Sequence, residues 1–210
     1  MSGVVLQCGY TGPAREVADL IAASFSTLAV AEWLVPDDRD ERLRIMAGQF
    51  EMLVAPAQDG RGHVDAAVDG AGRLVGAAVW HDNTEQPVAP SGDYERRLAE
   101  LSGPHLPRFQ ALDEAFEKHH PDPVAIPHHH LAFCGVEPAG QRQGIGTMLL
   151  RHGLDRLDET GAACYLEAAN DRLTYWYGQY GFERSEQEIS LPGGPSMFPM
   201  LRPPGTGAPS

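Results

Sequence analysis

Apolar positions recur at helical spacing over two early segments. Within residues 13–28, Val17, Leu20, Ile21 and Phe25 form one stripe, and Pro13 suits a first helical turn. Within residues 37–54, Leu43, Met46, Phe50 and Leu53 repeat the pattern behind an acidic start, which favours the positive end of a helix dipole. Short apolar runs at residues 4–8, 64–68 and 74–80 read as strands. Asp69-Gly70-Ala71-Gly72 joins the last two as an antiparallel hairpin.

Residues 82–127 carry two further helical patterns, Tyr94, Leu98, Leu101 and then Phe109, Leu112, Phe116, broken by Pro104 and Pro107. They read as a two-helix insertion, of the kind that often forms a substrate lid. Residues 130–136 read as a central strand. Residues 143–160 read as a helix with Ile145, Met148, Leu149 and Leu157 inward and Gly161 as its stop. A strand parallel to the central one follows at 163–168, then a last helix at 173–180. Residues 182–190 and 196–202 read as a closing hairpin that turns at Pro192-Gly193-Gly194-Pro195. The pattern predicts one α/β domain over residues 1–202 with a mixed sheet, and a flexible tail at 203–210.

Composition narrows the class. The chain has 210 residues, 42% hydrophobic and 21% charged, which fits a soluble globular domain with its own core. No apolar run reaches about 18 residues, so no membrane helix is expected. The N-terminus lacks the basic-then-apolar layout of a secretory signal, and a cytoplasmic location is the expectation. Cys8, Cys134 and Cys164 are odd in number and widely spaced, so buried reduced thiols are expected. A net charge of −13 makes nucleic acid and anionic membranes poor partners and draws cationic amines. The histidines His119, His120 and His128 to His130 have no metal-ligand spacing, so no metal is expected.

Chemistry concentrates in two stretches. Gln141-Arg142-Gln143-Gly144-Ile145-Gly146 lies between the apolar run Leu131 to Val136 and a helical pattern, giving strand, glycine turn and helix start. First-turn N–H groups lack partners and carry partial positive charge, and glycine lets a phosphate come close. The turn reads as a pyrophosphate site. Downstream, Asn170 and Tyr177 are two helical turns apart and share a face, and Gly181-Phe182 ends that helix. Gln-x-x-Gly-x-Gly followed by Asn-x6-Tyr-x3-Gly-Phe resembles the GCN5-related N-acetyltransferases.

That resemblance implies a GNAT-like fold, with antiparallel N-terminal strands and a parallel central pair flanked by helices. It implies acetyl-CoA as cosubstrate, held near Gln141 by the backbone of Gln143, Gly144, Ile145, Gly146 and Thr147. Arg142 adds a charge there. It also implies a bulge at Cys134-Gly135-Val136, freeing a backbone N–H, that of Val136, for the developing oxyanion. Tyr177 is implied as the general acid, since a phenol near pKa 10 can donate to a departing thiolate. Asn170 either bonds the pantetheine or caps the last helix. Tyr175 and Tyr180 lack this spacing and read as packing.

Two candidates stand for the base. Glu167 lies on the strand before Asn170, where an apolar cleft would raise its pKa. His130 shares a strand face with His128, while His129 points the other way. Phe25, Trp33 and Trp80 are candidates for an aromatic acceptor pocket.

Within the family, Leu98 to Gly103, Gly135 to Pro138, Leu166-Glu167 and Glu188 to Pro195 are similar to the puromycin N-acetyltransferases. This implies acetyl transfer to the amine of a small molecule, an aminonucleoside or other antibiotic, in a monomer or homodimer. Direct attack is expected, since Cys134 has no His–Asp pair arranged around it. A protein or peptide N-acetyltransferase is one alternative, and a non-catalytic acyl-CoA-binding module is another.

Overall fold

The computed structural model describes residues 3–205. The elements run β1 (Val5–Gln7), α1 (Ala14–Phe25), α2 (Ala29–Leu34), α3 (Arg39–Pro56), β2 (Gly62–Val68), β3 (Leu74–Asn83), α4 (Tyr94–Ser102) and α5 (Leu106–His119). They continue with β4 (His128–Val136), α6 (Ile145–Thr160), β5 (Ala163–Ala168), α7 (Asp171–Gly178), β6 (Glu183–Arg184), β7 (Ile189–Ser190) and β8 (Ser196–Arg202). The sheet order is β1-β2-β3-β4-β5-β8-β6, with β7 paired to β8. Among the described residues, β4 and β5 form the one parallel pair. The fold is a mixed α/β sheet flanked by helices.

Local chemistry sets the boundaries. Asp38 caps α3 by accepting from the N–H groups of Asp40 (2.8 Å) and Glu41 (3.1 Å). The Asp69 carboxylate closes the β2–β3 turn by accepting from Ala71 and Arg73 N–H. Gly161 ends α6 at φ 65°, a conformation that costs glycine little.

Each face of the sheet buries its own cluster. Val17, Ile21, Phe50, Val64 and Val79 pack together under α1 and α3. Trp80, Leu131, Leu149, Leu150 and Leu166 pack under α6. A third cluster, with Leu34, Ile45, Leu98, Phe109 and Ile189, ties α4 and α5 to α2, α3 and β7. The insertion is therefore anchored: Leu98 and Phe109 are almost wholly buried.

The fold departs from the sequence reading in three places. Helix α2 was hidden in a short stretch without a full stripe; the buried Arg42 guanidinium holds its flanks by donating to the carbonyls of Ser26, Val35 and Pro36. The first arm of the closing hairpin is two short strands, because the polar run Ser185 to Glu188 stays exposed and leaves the sheet. The bulge in β4 falls at Ala132, where Leu131 and Phe133 face the consecutive residues Trp80 and Val79. Gly135 instead pairs in register with Ala77 and allows close packing: a Cβ there would lie 3.3 Å from Ser24 Cβ. Of the tail expected at 203–210, residues 206–210 lie outside the described residues.

The bulge positions the site. Pairing between β4 and β5 stops at His130 and Tyr165. Beyond that point the two parallel strands part, and one edge of β4 has no strand neighbour.

Candidate active site

A cavity of about 1430 Å³ fills this gap and extends beneath the insertion. Its walls come from α1, α3, α4, α5 and α7, with the start of α6 at one end. Phe25, Phe50 and Phe133 form an aromatic side to it; the Phe50 and Phe133 centroids are 4.7 Å apart. Of the three aromatics expected in an acceptor pocket, Phe25 lines the cavity, and Trp33 and Trp80 do not. Trp80 is fully buried on the opposite face, its ring filling the space above Gly153. Trp33 packs over Gly194 and under the Arg108 guanidinium.

At the α6 end, Gly144 holds φ 84° and no side chain caps the helix. The N–H groups of Ile145, Gly146 and Thr147 therefore lack intrahelical acceptors. The Gln141 and Gln143 amides fold back onto the carbonyls of Val136 (3.3 Å) and Ala139 (3.0 Å). Arg142 has φ 62°, the one positive value for a non-glycine among the described residues. A Cβ on Gly144 would meet nothing within 4 Å, and on Gly146 only Val136 Cγ2 at 3.7 Å. The turn is an open cradle of donors at a positive helix end, with Arg142 and Arg172 in the same wall.

Tyr177 is buried, with 8% of its surface exposed, and lines the cavity. Its hydroxyl makes no hydrogen bond to any described residue. Burial first, then Cys134 and Cys164, push the phenol well above its ordinary pKa, so it stays a proton donor. Tyr180 donates to Thr147 Oγ1 at 3.3 Å, while Tyr175 is 75% exposed and packs nothing. Burial pushes the Cys134 thiol up to about 12, which leaves it a poor nucleophile. Cys164 is buried, whereas Cys8, expected to be buried too, is exposed. Asn170 caps α7 by accepting from Leu173 N–H at 3.0 Å, and it also borders the cavity. The Val136 N–H already donates to Ser24 Oγ at 3.1 Å, a partner from α1 that sequence spacing did not reveal.

Histidines gather around Glu167. His130 Nε2 donates to Glu167 Oε2 at 2.9 Å, and His120 Nδ1 lies 3.8 Å from Oε1. Only 5% of the Glu167 side chain is exposed, and Oε1 has no hydrogen-bond partner. Burial raises the Glu167 pKa, but the electrostatic pull and hydrogen bond of His130, with His120 close by, outweigh it. The carboxyl is held well below its usual range, which reverses the expected rise. An ionised Glu167 fixes the proton of His130 on Nε2 and leaves Nδ1 with a free lone pair. His128 donates through Nδ1 to Ile126 O at 2.7 Å, with Nε2 3.0 Å from His120. His81 bonds Leu53 O at 2.8 Å. His129 lies on the α6 face, within electrostatic reach of Asp82 and Arg156. The fold brings ligand atoms of His120, His130 and Glu167 within 4.8 Å of one another, although their spacing in sequence gave no sign of it.

The insertion end of the cavity holds residues that the sequence reading missed. Tyr94 donates to Asp113 Oδ2 (3.0 Å) and accepts from Gln49 Nε2 (2.8 Å), and all three line the cavity. Gln49 is on α3, far from the insertion in sequence, so no local spacing could have joined them.

The model of the acetyltransferase (GNAT) family matches residues 27–182. A Corynebacterium glutamicum structure, described as histone acetyltransferase HPA2 and related acetyltransferase, is similar at TM-score 0.71 and 23% identity, over 97% of each chain. A mosquito arylalkylamine N-acetyltransferase like 5b is similar at 0.57 and 11%, over 96% of this chain and all of that one. A Brucella melitensis GNAT family acetyltransferase in complex with acetyl-CoA is similar at 0.52 and 15%, over 100% of this chain and 94% of that one. At these identities the likeness speaks to the fold.

Proposed function

The chain belongs to the GNAT acetyltransferase family, and from that premise we propose that it acetylates the amine of a small molecule by direct attack on acetyl-CoA. The observation that carries the reading is a single cavity joining three features: an uncapped helix start, the unpartnered Tyr177 hydroxyl, and the His130–Glu167 pair.

The residues present fit acetyl-CoA. The free N–H groups of Ile145, Gly146 and Thr147 would hold the pyrophosphate, with Gly144 leaving room and Arg142 and Arg172 adding charge. The open edge of β4, around Cys134 to Val136, offers backbone groups to the pantetheine, with Asn170 opposite. A like architecture holds acetyl-CoA in the Brucella structure. Bound there, acetyl-CoA supplies the activated acyl group. His130 Nδ1 takes the proton of the acceptor ammonium, directly or through water, and Glu167 stabilises the resulting imidazolium. Tyr177 donates its proton to the departing thiolate. Cys134 stays protonated and forms no acyl-enzyme.

The residue 82–127 insertion supplies much of the lining at the acceptor end, which favours a small molecule over an extended peptide. The walls of Phe25, Phe50 and Phe133 suit an acceptor carrying a ring, as in an aminonucleoside or an arylalkylamine. The reading takes residues 1–202 as one catalytic unit, 82–127 as the acceptor wall, and the enzyme as cytoplasmic and monomeric or dimeric. A pure acyl-CoA binder has no use for an acid and a base facing one space. Thiol release from acetyl-CoA with a panel of puromycin, an arylalkylamine and a histone-tail peptide tests this. Turnover of small amines alone supports it. Turnover of the peptide alone makes the chain a protein acetyltransferase, and binding without release makes it a binding module.

A further inference from the structure

Charge along the cavity wall is segregated. The arginines in the wall are Arg142 and Arg172, both at the phosphate end, and no lysine joins them. The carboxylates are Glu95, Asp113, Glu114, Glu117 and Asp122, all from the insertion, together with Glu167. We infer that the insertion builds a cation subsite around Asp113 for a second basic nitrogen on the acceptor, an inference that rests on the acyltransferase reading. The substrate class is then a diamine or polyamine-like amine, which reacts at one nitrogen and is held by another.

Asp113 carries the argument beyond a cluster of surface acids. It sits in the wall with Tyr94 as its one hydrogen-bond partner and with no ion-paired cation among the described residues. Removing a carboxylate from water without a counter-charge is costly unless a ligand supplies one. Burial pushes this carboxyl up to about 6, and the Tyr94 bond pulls the other way. Gln49 donates to Tyr94, which orients the hydroxyl toward Asp113 and leaves Oδ1 open.

An independent feature marks the other end. Glu167 is almost wholly buried in the same cavity, and its Oε1 has no hydrogen-bond partner. That oxygen is closed off from the cavity, but the carboxylate charge favours an ammonium standing beside His130. The two carboxylates therefore bracket the acceptor space, Glu167 at the reacting nitrogen and Asp113 at the second one. The aromatic side between them suits the alkyl or ring spacer.

The test compares kcat/KM for cadaverine and spermidine with that for pentylamine, in the wild type and in Asp113→Asn. The wild type should prefer the diamines, and Asp113→Asn should lower the diamine-to-monoamine ratio by roughly 10- to 100-fold, the worth of one charge-assisted bond. Equal losses on both substrates, or no wild-type preference, would overturn the subsite. Tyr94→Phe, which strips Asp113 of its partner but keeps the ring, should retain or raise the ratio; a fall to the Asp113→Asn level also overturns it. If no amine is acetylated, the acyltransferase reading fails, and calorimetry then decides the subsite alone. Spermidine binding that weakens in Asp113→Asn upholds it, and binding equal in the two proteins sinks it.

Discussion

His130 and Glu167 meet at 2.9 Å where β4 and β5 part. His130 belongs to the last pair in the parallel register, opposite Tyr165, and Glu167 stands two residues further along β5 on the face of Tyr165. The hydrogen bond therefore bridges the base of the opening rather than lying inside the sheet. It places an imidazole with a defined tautomer at the bottom of the cavity, opposite the Tyr177 wall.

Replacing Glu167 with Gln should lower kcat by roughly 10²-fold or more, because a neutral amide cannot stabilise the imidazolium. Wild-type kcat in the mutant would remove this pair from proton transfer.

Two histidines tie stability to pH. Burial lowers His81 and His128 from 6.5 to about 4, so the folded state resists their protonation. The unfolded chain binds those protons first. Their contribution is therefore complete above about pH 6.5 and is lost between pH 6.5 and 4, by on the order of 3 kcal/mol each at most. Glu167 adds in the same direction: its depressed pKa gives stability above the unfolded carboxyl value that is lost as pH falls further. Urea unfolding at pH 7.5, 5.5 and 4.5 should give a steep decline in the wild type and a shallower one in His128→Asn. Parallel slopes would contradict the assignment.

Gly146→Glu should abolish acetyl-CoA binding and leave the fold intact. The nearest atom to a new Cβ is Val136 Cγ2 at 3.7 Å, an ordinary contact, so the backbone accepts the residue. Its carboxylate then lies among the free N–H groups proposed to hold the phosphate. Acetyl-CoA stabilises only a native state that binds it. An undiminished rise in Tm in the mutant would move the phosphate site elsewhere.

Tyr177→Phe removes one hydroxyl that makes no bond within the described protein, so stability should fall little. Turnover should drop by roughly 10²–10⁴ if the phenol protonates the thiolate. KM for acetyl-CoA should change much less. A thioester with a more acidic thiol should recover much of the loss. Near-normal turnover with the natural cosubstrate would transfer the acid role to water.

The parts of the site that were legible in the sequence are local ones. Gly144, Gly146, Asn170 and Tyr177 take their places in the cavity wall through spacing within one turn or one helix, which one chain segment displays. Contacts between distant segments were hidden. The Gln49–Tyr94–Asp113 chain joins positions 45 and 19 apart, and Glu167 meets His130 across 37 residues. Trp80 shows a different gap. Alternation puts Trp80 and His81 on opposite faces of β3, but it does not say which face meets the cleft. His81 does, and Trp80 packs beneath α6. The bulge at Ala132 was misplaced for a related reason, since only the partner strand defines where an extra residue sits.

The most direct test of the account is stoichiometry. Acetyl-CoA is mixed with enzyme, first without and then with a reactive amine, and released thiol, acetylated amine and protein mass are followed together. Direct transfer predicts no early thiol release without amine, an unmodified protein, and one thiol per acetylated amine once amine is added. Thiol released in amounts matching the enzyme before amine is present, with an acetyl group on Cys134, would contradict it.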